Sequence, residues 1–206
     1  METIVDLLRH GEAAGGRKLR GRGTDDPLTL RGRADMERMA AHAGPWDVVA
    51  SSPMQRCIAF AEPLARQAGA RLIVEERFSE YDFGEWGGQM LDELWARHGD
   101  ALAAFFSDPG RVTPPGGERA AAFRERVRSG WNALLHTAPG ERVLLVAHGG
   151  VLRQLVADAL GVPFALHAAL EWPHAAHSRL RVFADAAHHD GRSASLVFHA
   201  RTYPDG

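Results

Sequence analysis

The amino-acid sequence predicts an α/β fold, with three α/β/α layers around a largely parallel central sheet and an inserted helical lid. Short apolar segments of strand length alternate with longer segments of helical apolar spacing over most of the chain. Polar, glycine-containing segments follow several predicted strands, at the sheet edge where parallel sheets bind ligands. A chain of 206 residues is long enough for one such domain with an elaborated insertion.

Apolar spacing and turn residues mark each predicted element in the first half of the chain. Met36 and Met39 lie at helical spacing ahead of the helix breaker Gly44-Pro45. Ahead of the next helix, Ser52 can act as the N-cap and Gln55 can close a capping box. The predicted elements of this half are a strand over 3–8, a helix over 30–42, a strand over 46–50, a helix from 52 to 69 and a strand over 71–74.

The stretch 80–117 breaks this alternation. It combines a loop, a helix around Leu94 and Trp95, an apolar segment over 102–106 and a turn-rich closing segment. We therefore expect one domain over residues 1–206, in which 80–117 is an insertion that could cover a site. The remaining predicted elements are a helix over 119–136, a strand over 142–147, a helix that ends at Leu160 and strands over 178–183 and 195–199.

Composition excludes several classes of protein. The hydrophobic fraction of 45% and the charged fraction of 24% are those of an ordinary globular chain. The lone cysteine, Cys57, excludes an internal disulfide framework and a cysteine-based zinc cluster. With a net charge of −2 and no basic stripe, we expect no nucleic-acid partner. No apolar run reaches the roughly 18 residues of a membrane helix, and we expect a cytoplasmic protein with no membrane partner. The sequence leaves the oligomeric state open.

Three groups of chemically active residues fall where predicted strands end and helices begin. They are Arg9-His10-Gly11, Arg56 in the first turn of its helix, and His148-Gly149-Gly150. Helix N-termini offer backbone N–H groups to anions, and arginine binds phosphoryl oxygens well. If these groups converge, their natural ligand is a compact, multiply charged anion such as a phosphoryl group.

These groups belong to a longer series of motifs that resembles the histidine phosphatase superfamily, which includes the phosphoglycerate mutases. The series runs from residue 8 to residue 150 in the order of that family. Its members here are Leu8-Arg9-His10-Gly11-Glu12, Asp26-Pro27-Leu28-Thr29 with Gly32, Ser51-Ser52-Pro53-Met54-Gln55-Arg56, Glu80-Tyr81-Asp82-Phe83-Gly84-Glu85-Trp86, Pro115-Gly116-Gly117-Glu118 and Ala147-His148-Gly149-Gly150.

The resemblance implies catalysis through a phosphohistidine, with no metal and no cofactor. His10 is then the nucleophile, and its other ring nitrogen must donate to a fixed acceptor such as a backbone carbonyl. Arg9, Arg56 and His148 hold the phosphoryl oxygens, and His148 is protonated when phosphate is bound. Glu80 protonates the leaving oxygen and then deprotonates the attacking water. Gly149 is an expected substrate contact at the helix start.

Two features of the motifs leave roles open. The spacing Glu-x-x-Phe-Gly selects Glu80 as the acid, although Asp82 and Glu85 lie beside it, and all three could be solvated loop acids. Many family members have a Thr and, three positions later, an Asn, at the positions of Ala13 and Gly16 here. Arg20 and Arg22 are our candidates to replace the contact of that Asn with phosphate or substrate.

The resemblance favours a phosphatase acting on a small-molecule phosphate ester. Family mutases tend to have a longer insertion than the one here, which favours hydrolysis over transfer. Segments around Arg20 and Pro115 look like the α-ribazole phosphatase branch, whose members act on α-ribazole 5′-phosphate in cobalamin synthesis. A broad-specificity phosphatase and a mutase are the alternatives, and a phosphohistidine-protein phosphatase or a non-catalytic phosphate-binding module is disfavoured.

Two other residue patterns have plain structural interpretations. The lid aromatics Trp86, Trp95, Phe105 and Phe106 could pack on a ring of the substrate, but we expect them to form the core of the lid. The close histidine pairs, His174-x-x-His177 and His188-His189, have no third ligand at supporting spacing. We expect them to be surface or loop histidines and not a metal site.

Overall fold

A computed structural model describes residues 1–163, 166, 169–184 and 192–203. The strands are β1 (Glu2–Arg9), β2 (Val48–Ser51), β3 (Arg71–Val74), β4 (Arg142–Ala147), β5 (His177–Ala184) and β6 (Arg192–Arg201). The helices are α1 (Leu30–Ala43), α2 (Gln55–Ala68), α3 (Leu91–Ser107), α4 (Ala120–Thr137) and α5 (Gly149–Leu160). Short 3₁₀ turns at Glu76–Phe78 and Gly84–Trp86 lie between β3 and α3. The predicted elements are confirmed, with ends that differ by a few residues.

The six strands form one sheet in the order β3-β2-β4-β1-β5-β6. The pairs β3-β2, β2-β4 and β4-β1 are parallel, whereas β1-β5 and β5-β6 are antiparallel. Parallel neighbours need a long crossover, which the helices supply. The prediction of a largely parallel sheet is therefore confirmed, and the antiparallel part is confined to one edge.

Helices cover both faces of the sheet, because alternate side chains of each strand point to opposite sides. Leu7 belongs to one buried apolar cluster and Leu8 to the other. The Leu8 cluster includes Met36 and Met39 of α1 and Phe60 of α2. The Leu7 cluster contains Phe123 and Val127 of α4 and Val151 and Leu155 of α5. This confirms the three-layer α/β/α architecture.

The lid insertion contains one helix where two separate apolar segments were expected. Helix α3 continues through the predicted segment 102–106, with a local break in helical geometry at His98. Leu94, Leu102 and Phe105 are all buried, so one face of the helix packs on the Leu7 cluster. The spacing of these three residues is helical, and burial of that common face explains why the two segments join.

The start of α2 differs from the predicted capping box. The helix begins at Gln55, whose N–H donates to Oδ1 of Asp25 at 2.7 Å. Ser52 precedes the helix by three residues, and its hydroxyl accepts from the N–H of Met54 at 3.3 Å. The predicted capping box at Ser52 and Gln55 is therefore wrong. Asp25, from the loop between β1 and α1, caps the helix instead, and the Ser52 hydroxyl is left for another contact.

A buried carboxylate joins β1 to the antiparallel edge of the sheet. Asp6 is fully buried and accepts hydrogen bonds from Trp46 Nε1 at 2.7 Å, His177 Nε2 at 2.9 Å and Arg179 Nε at 2.7 Å. Burial by itself raises the pKa of Asp6, but these donors outweigh it and lower that pKa below its usual value. His177 is therefore a buried structural residue, and its expected surface position is wrong. His188-His189 lies outside the described residues.

We expect Asp6→Asn to lower the free energy of unfolding at pH 7 by about 3 kcal/mol, because it breaks a buried, hydrogen-bonded ion pair. A lowered native pKa contributes stability above the unfolded pKa of about 3.9, which is lost as the pH falls through the native value. The difference between wild type and variant should therefore shrink below about pH 4. Urea unfolding at pH 7 and pH 3 measures both effects.

The matched control is Asp92→Asn, since the Asp92 side chain is 82% exposed and lies 3.9 Å from Arg17. An exposed pair of this kind contributes about 0–1 kcal/mol. An Asp6→Asn loss at pH 7 no larger than that of the control would contradict the structural role of Asp6.

Candidate active site

Neighbouring strands end side by side and bring four predicted site residues together. Strands β2, β4 and β1 are adjacent and parallel, so the segments that follow them leave the sheet at one edge. The N–H of His10 donates to the carbonyl of Ala147 at 3.0 Å, and the rings of His10 and His148 lie 5.3 Å apart. Arg9 and Arg56 flank this pair.

His10 has one ring nitrogen committed to the backbone and one without a partner. Its Nδ1 donates to the Gly11 carbonyl at 2.7 Å, which provides the acceptor expected from the sequence. Burial, followed by the charges of Arg9 and Arg56, lowers the pKa of His10 well below its usual value. The ring is therefore neutral at pH 7, and its Nε2 makes no hydrogen bond to any residue that the structure describes.

Arg56 is fully buried and is held by backbone carbonyls. Its Nη1 donates to Thr24 O at 2.7 Å and its Nη2 to Gly21 O at 3.4 Å. Burial lowers the pKa of Arg56, but its charge remains, because arginine ionises far above neutral pH. The loop before α1 therefore positions this guanidinium from the side opposite to His10 and His148.

His148 is also fully buried and neutral in this arrangement. Arg56 Nε donates to His148 Nδ1 at 3.2 Å, so the ring proton is on Nε2, which donates to Ser52 Oγ at 2.8 Å. Burial and the charge of Arg56 lower the pKa of His148 well below its usual value. We expect His148 to be protonated when phosphate is bound. In this arrangement the anion itself would have to cause that protonation, because a neighbouring negative charge raises a histidine pKa.

Arg9 is held by the chain segment before β5. Its Nη1 donates to the Trp172 carbonyl, and its Nη2 donates to His174 Nε2 at 3.0 Å. Burial and the charge of Arg153 lower the pKa of Arg9 to about 10, so it is still charged at pH 7. The Nε atom of Arg9 is buried and has no hydrogen-bond partner in the part of the chain that the structure describes. It therefore remains available to an anion.

Glu80 points its carboxylate at the start of α5. Oε1 accepts from the N–H of Tyr81 at 2.9 Å, and Oε2 accepts from the N–H of Gly150 at 3.1 Å. A Cβ atom on residue 150 would lie 2.4 Å from Glu80 Oε1, so this approach requires glycine. Gly149 opens the same helix and lines the same cavity.

The neighbouring acids of Glu80 lie elsewhere. Asp82 Oδ1 accepts from the N–H of Gly84 at 3.0 Å, and Glu85 is exposed. Neither residue lines the cavity that contains Glu80 and His10. Of the three carboxylates in this motif, the structure brings only Glu80 to the two histidines.

A cavity of about 390 Å³ is lined by Arg9, His10 and Glu80 and has two chemically different sides, whereas Arg56 and His148 lie behind His10 and do not line it. His10, Arg9 and Glu80 lie on the polar side. The apolar wall is formed by Leu19, Phe83, Leu91, Phe105, Phe106 and Pro109. The lid therefore contributes a hydrophobic surface to the cavity beside the charged groups.

The four lid aromatics divide between the cavity and the rest of the lid. Phe105 and Phe106 line the cavity, whereas Trp86 is buried in the Leu7 cluster and Trp95 is 42% exposed outside the cavity. The expectation of a lid core holds for Trp86, while Phe105 serves both the core and the cavity wall.

Arg20 and Arg22 occupy different places. Arg20 lines the cavity, but its Nε donates to Asp26 at 2.9 Å and its Nη2 to Gly16 O at 2.8 Å. Arg22 is exposed, does not line the cavity, and contributes its backbone N–H to Tyr81 O. The structure thus uses Arg20 to brace the loop after β1, and it does not bring Arg22 to the site.

Arg153 is a charged cavity residue that our sequence reasoning missed. Its Nε donates to Leu170 O at 2.7 Å. Arg153 Nη1 lies 3.2 Å, and Arg9 Nε 3.5 Å, from the position that a Cβ on Gly149 would take. Two guanidinium groups therefore meet over Gly149. The signal was available, since Arg153 lies one helical turn after Gly149 on the face that begins at the site.

His174 is the second missed residue: it is an exposed turn histidine, as expected, but it also lines the cavity. It accepts from Arg9 and lies 5.4 Å from His10 between ring centroids. Only the antiparallel packing of β5 on β1 brings it there, because His177 pairs with Leu8 at the end of β1. No local pattern around His174 indicates that packing.

The described residues hold no cluster of three or more His, Cys, Asp or Glu side chains suited to a metal ion.

Cys57 Sγ lies 3.7 Å from His148 Nε2, and burial raises the pKa of the Cys57 thiol to about 12, so this thiol is not a nucleophile. No helix within the described part of the chain is long and apolar enough to cross a membrane.

Comparisons with known proteins show the family to which the chain belongs. Residues 5–192 match the histidine phosphatase superfamily (branch 1). The chain is 33% identical over 186 residues to the 2,3-bisphosphoglycerate-dependent phosphoglycerate mutase of Methylorubrum populi, covering 83% of this chain and 85% of the relative. It is 28% identical over 159 residues to phosphoserine phosphatase 1 of Hydrogenobacter thermophilus, covering 76% and 75%.

Solved structures share the whole fold. Mycobacterial hydrolase 2 superposes with a TM-score of 0.88 at 25% identity, covering 100% of this chain and 93% of that one. The α-ribazole phosphatase of Shigella flexneri gives a TM-score of 0.77 over 98% and 100% of the chains. At 21% identity, that likeness shows the fold alone. The motifs and the family match together establish that this chain belongs to the histidine phosphatase superfamily and is a phosphatase enzyme.

Proposed function

We propose that this protein is a metal-independent phosphomonoesterase that acts through a phosphohistidine formed on His10 Nε2. The observation that carries the proposal is the state of the His10 ring. It is neutral, it is fixed through Nδ1 to Gly11 O, and its Nε2 bonds to none of the described residues and lies near the charges of Arg9 and Arg56. A neutral imidazole with one free nitrogen is a competent nucleophile near pH 7.

In the first step, Nε2 attacks phosphorus and the bond between phosphorus and the ester oxygen breaks. Glu80 gives its proton to the leaving oxygen, which departs as an alcohol. In the second step, water attacks the phosphohistidine, Glu80 accepts the proton, and the P–N bond breaks to release phosphate. The contact of Glu80 with the N–H of Gly150 keeps its carboxylate at the edge of the phosphoryl site.

The cationic groups stabilise the charge on the transferred phosphoryl group. Arg9 Nε is buried and has no partner among the described residues, and the neutral ring of His148, which accepts from Arg56 Nε, lies 5.3 Å from that of His10 and would become cationic when phosphate binds. Fixed donors of this kind are worth about 10²- to 10³-fold each in turnover. Because these groups are held before substrate arrives, the mechanism needs no metal ion.

The organic part of the substrate would rest on the apolar wall of Leu19, Leu91, Phe105, Phe106 and Pro109. This wall supports α-ribazole 5′-phosphate, or a related small phosphate ester of cobalamin synthesis, because a flat apolar ring fits beside a charged phosphoryl pocket. A broad-specificity phosphatase is the alternative. We also propose a cytoplasmic location and no nucleic-acid partner, in line with the net charge of −2.

We expect hydrolysis of p-nitrophenyl phosphate to survive excess EDTA and to fall at least about 10³-fold in His10→Ala, because the nucleophile is lost. Rapid quench into alkaline denaturant, or ³¹P NMR at alkaline pH, should detect phosphohistidine in the wild type alone. His136→Ala, which changes an exposed histidine at the end of α4, is the control. EDTA-sensitive activity that persists in His10→Ala would overturn the mechanism.

We expect Glu80→Gln to lower kcat by about 10²- to 10⁴-fold, because the amide cannot exchange a proton with the leaving oxygen. Its affinity for inorganic phosphate, measured by titration calorimetry, should stay within a few-fold of the wild type. Asp82→Asn is the matched control and should retain turnover. The reverse pattern, with Asp82→Asn inactive and Glu80→Gln active, would show that the acid has been misassigned.

A second candidate substrate class is the phosphate esters that carry a carboxylate. The observation in its favour is Arg153, whose Nη atoms have no hydrogen-bond partner among the described residues and whose Nη1 lies near Arg9 over Gly149. A second anionic group of the substrate could bind there. The named substrates of two relatives, phosphoglycerate and phosphoserine, carry such a group.

We therefore predict how Arg153→Gln separates the two classes. If a carboxylate binds Arg153, kcat/KM for phosphoserine and 3-phosphoglycerate should fall about 10- to 100-fold more than for p-nitrophenyl phosphate. Arg128→Gln, an exposed change on α4, is the control and should alter kcat/KM for neither kind of ester.

Equal losses of kcat/KM on every ester would refute a carboxylate subsite. A wild-type preference for α-ribazole 5′-phosphate would favour the α-ribazole phosphatase assignment. Formation of 2-phosphoglycerate would reveal a mutase.

A further inference from the structure

We propose that His174 is a third phosphoryl-binding histidine of this enzyme, donating from Nδ1 to a phosphoryl oxygen while its Nε2 orients Arg9. The inference rests on the proposed function, since it adds a ligand to the same phosphoryl group. His174 lies in the C-terminal part of the chain, outside every motif from which the site was predicted.

The position of His174 is built by the end of β1. His10 O accepts from the N–H of Ala175 at 3.2 Å, and the N–H of Arg9 donates to Ala176 O at 3.1 Å. Trp172, which is buried, donates from Nε1 to Ala176 O at 3.1 Å. Because Arg9 Nη1 also donates to Trp172 O, the segment 172–176 is bonded at both ends to Arg9 and His10.

The backbone next to His174 adopts a conformation that L-residues rarely occupy. Ala175 has a φ of 55°, in the left-handed region. Local strain of this kind persists only where the surroundings hold it, and it clusters at functional sites. Here it turns the chain so that His174 faces the cavity while Ala175 bonds back to His10.

Hydrogen bonding identifies the free donor of the His174 ring. A guanidinium can only donate, so Arg9 Nη2, at 3.0 Å, makes Nε2 of His174 the acceptor. Partial burial, with the charges of Arg9 and Arg20, lowers the pKa of His174 to about 4 and keeps the ring neutral at pH 7. The single ring proton is therefore on Nδ1, which has no hydrogen-bond partner among the described residues.

His10 lies between two histidines as a result. Its ring centroid is 5.3 Å from that of His148 and 5.4 Å from that of His174. On the cavity side, a phosphoryl group on His10 Nε2 would meet the free Nδ1 donor of His174, whereas the Nε2 proton of His148 is already donated to Ser52 Oγ. This also accounts for Gly16, which lines the cavity without a side chain where many family members have an Asn. We infer that His174 supplies the missing donor, since Arg20 is committed to Asp26 and Arg22 faces solvent.

Two near-isosteric variants separate the two ring nitrogens. In His174→Asn the amide nitrogen can take the place of Nδ1, so the donor is kept and the acceptor for Arg9 is lost. In His174→Gln the amide oxygen can take the place of Nε2, so the acceptor is kept and the donor is lost. His174→Ala removes both, and His136→Ala is the control.

The dissociation constant for inorganic phosphate is measured by titration calorimetry, which does not depend on turnover. We expect it to rise about 10-fold or more in His174→Ala and His174→Gln, and to stay within about threefold in His174→Asn and His136→Ala. Circular dichroism and thermal melting check that each variant is folded.

The inference is overturned if His174→Ala binds phosphate like the wild type, or if His174→Asn binds no more tightly than His174→Gln. In the latter case His174 affects phosphate binding only by orienting Arg9 or by stabilising the local structure. Failure of the proposed function would be distinct, since the wild type would then form no phosphohistidine although it binds phosphate. A wild type that binds no phosphate would overturn both.

Discussion

The register between β1 and β4 is the constraint on which the site depends. Arg9 is paired with Ala147, so the two chains leave the sheet together and His10 and His148 emerge side by side. The N–H of His10 continues this pairing by donating to the carbonyl of Ala147. A slip of one residue would send each side chain to the opposite face. The buried apolar residues on both faces of β1 therefore also determine the geometry of the site.

Positive charge is concentrated in the cavity and is solvated by the protein itself. Arg56 uses the carbonyls of Thr24 and Gly21, and Arg9 uses the carbonyl of Trp172. Burial and the charge of Arg153 both lower the pKa of Arg9, so the charged form of Arg9 is disfavoured in the empty cavity. A phosphoryl dianion relieves that repulsion, so the arrangement favours the ligand and costs the unliganded fold some stability.

The antiparallel edge of the sheet has a role in the site as well as in the core. Because β5 runs against β1, the residues before β5 reach the carboxyl end of β1. His174 is placed at the cavity in this way, while His177 binds Asp6 beneath it. Two histidines that are three residues apart thus have separate tasks, one at the ligand site and one in the core.

The sequence by itself determined the α/β class, the order of elements and the residues His10, Arg9, Arg56, Glu80 and His148 as candidates for the site. The class and order of elements were predictable because apolar periodicity is local. Arg9, His10, Arg56 and His148 fall where strands end and helices begin, whereas Glu80 was selected by the resemblance of its motif to the histidine phosphatase superfamily. Tertiary structure alone decided the contribution of His174, the position of Arg22 away from the cavity and the capping of α2 by Asp25. Each of these depends on contacts between segments distant along the chain, which local spacing does not encode.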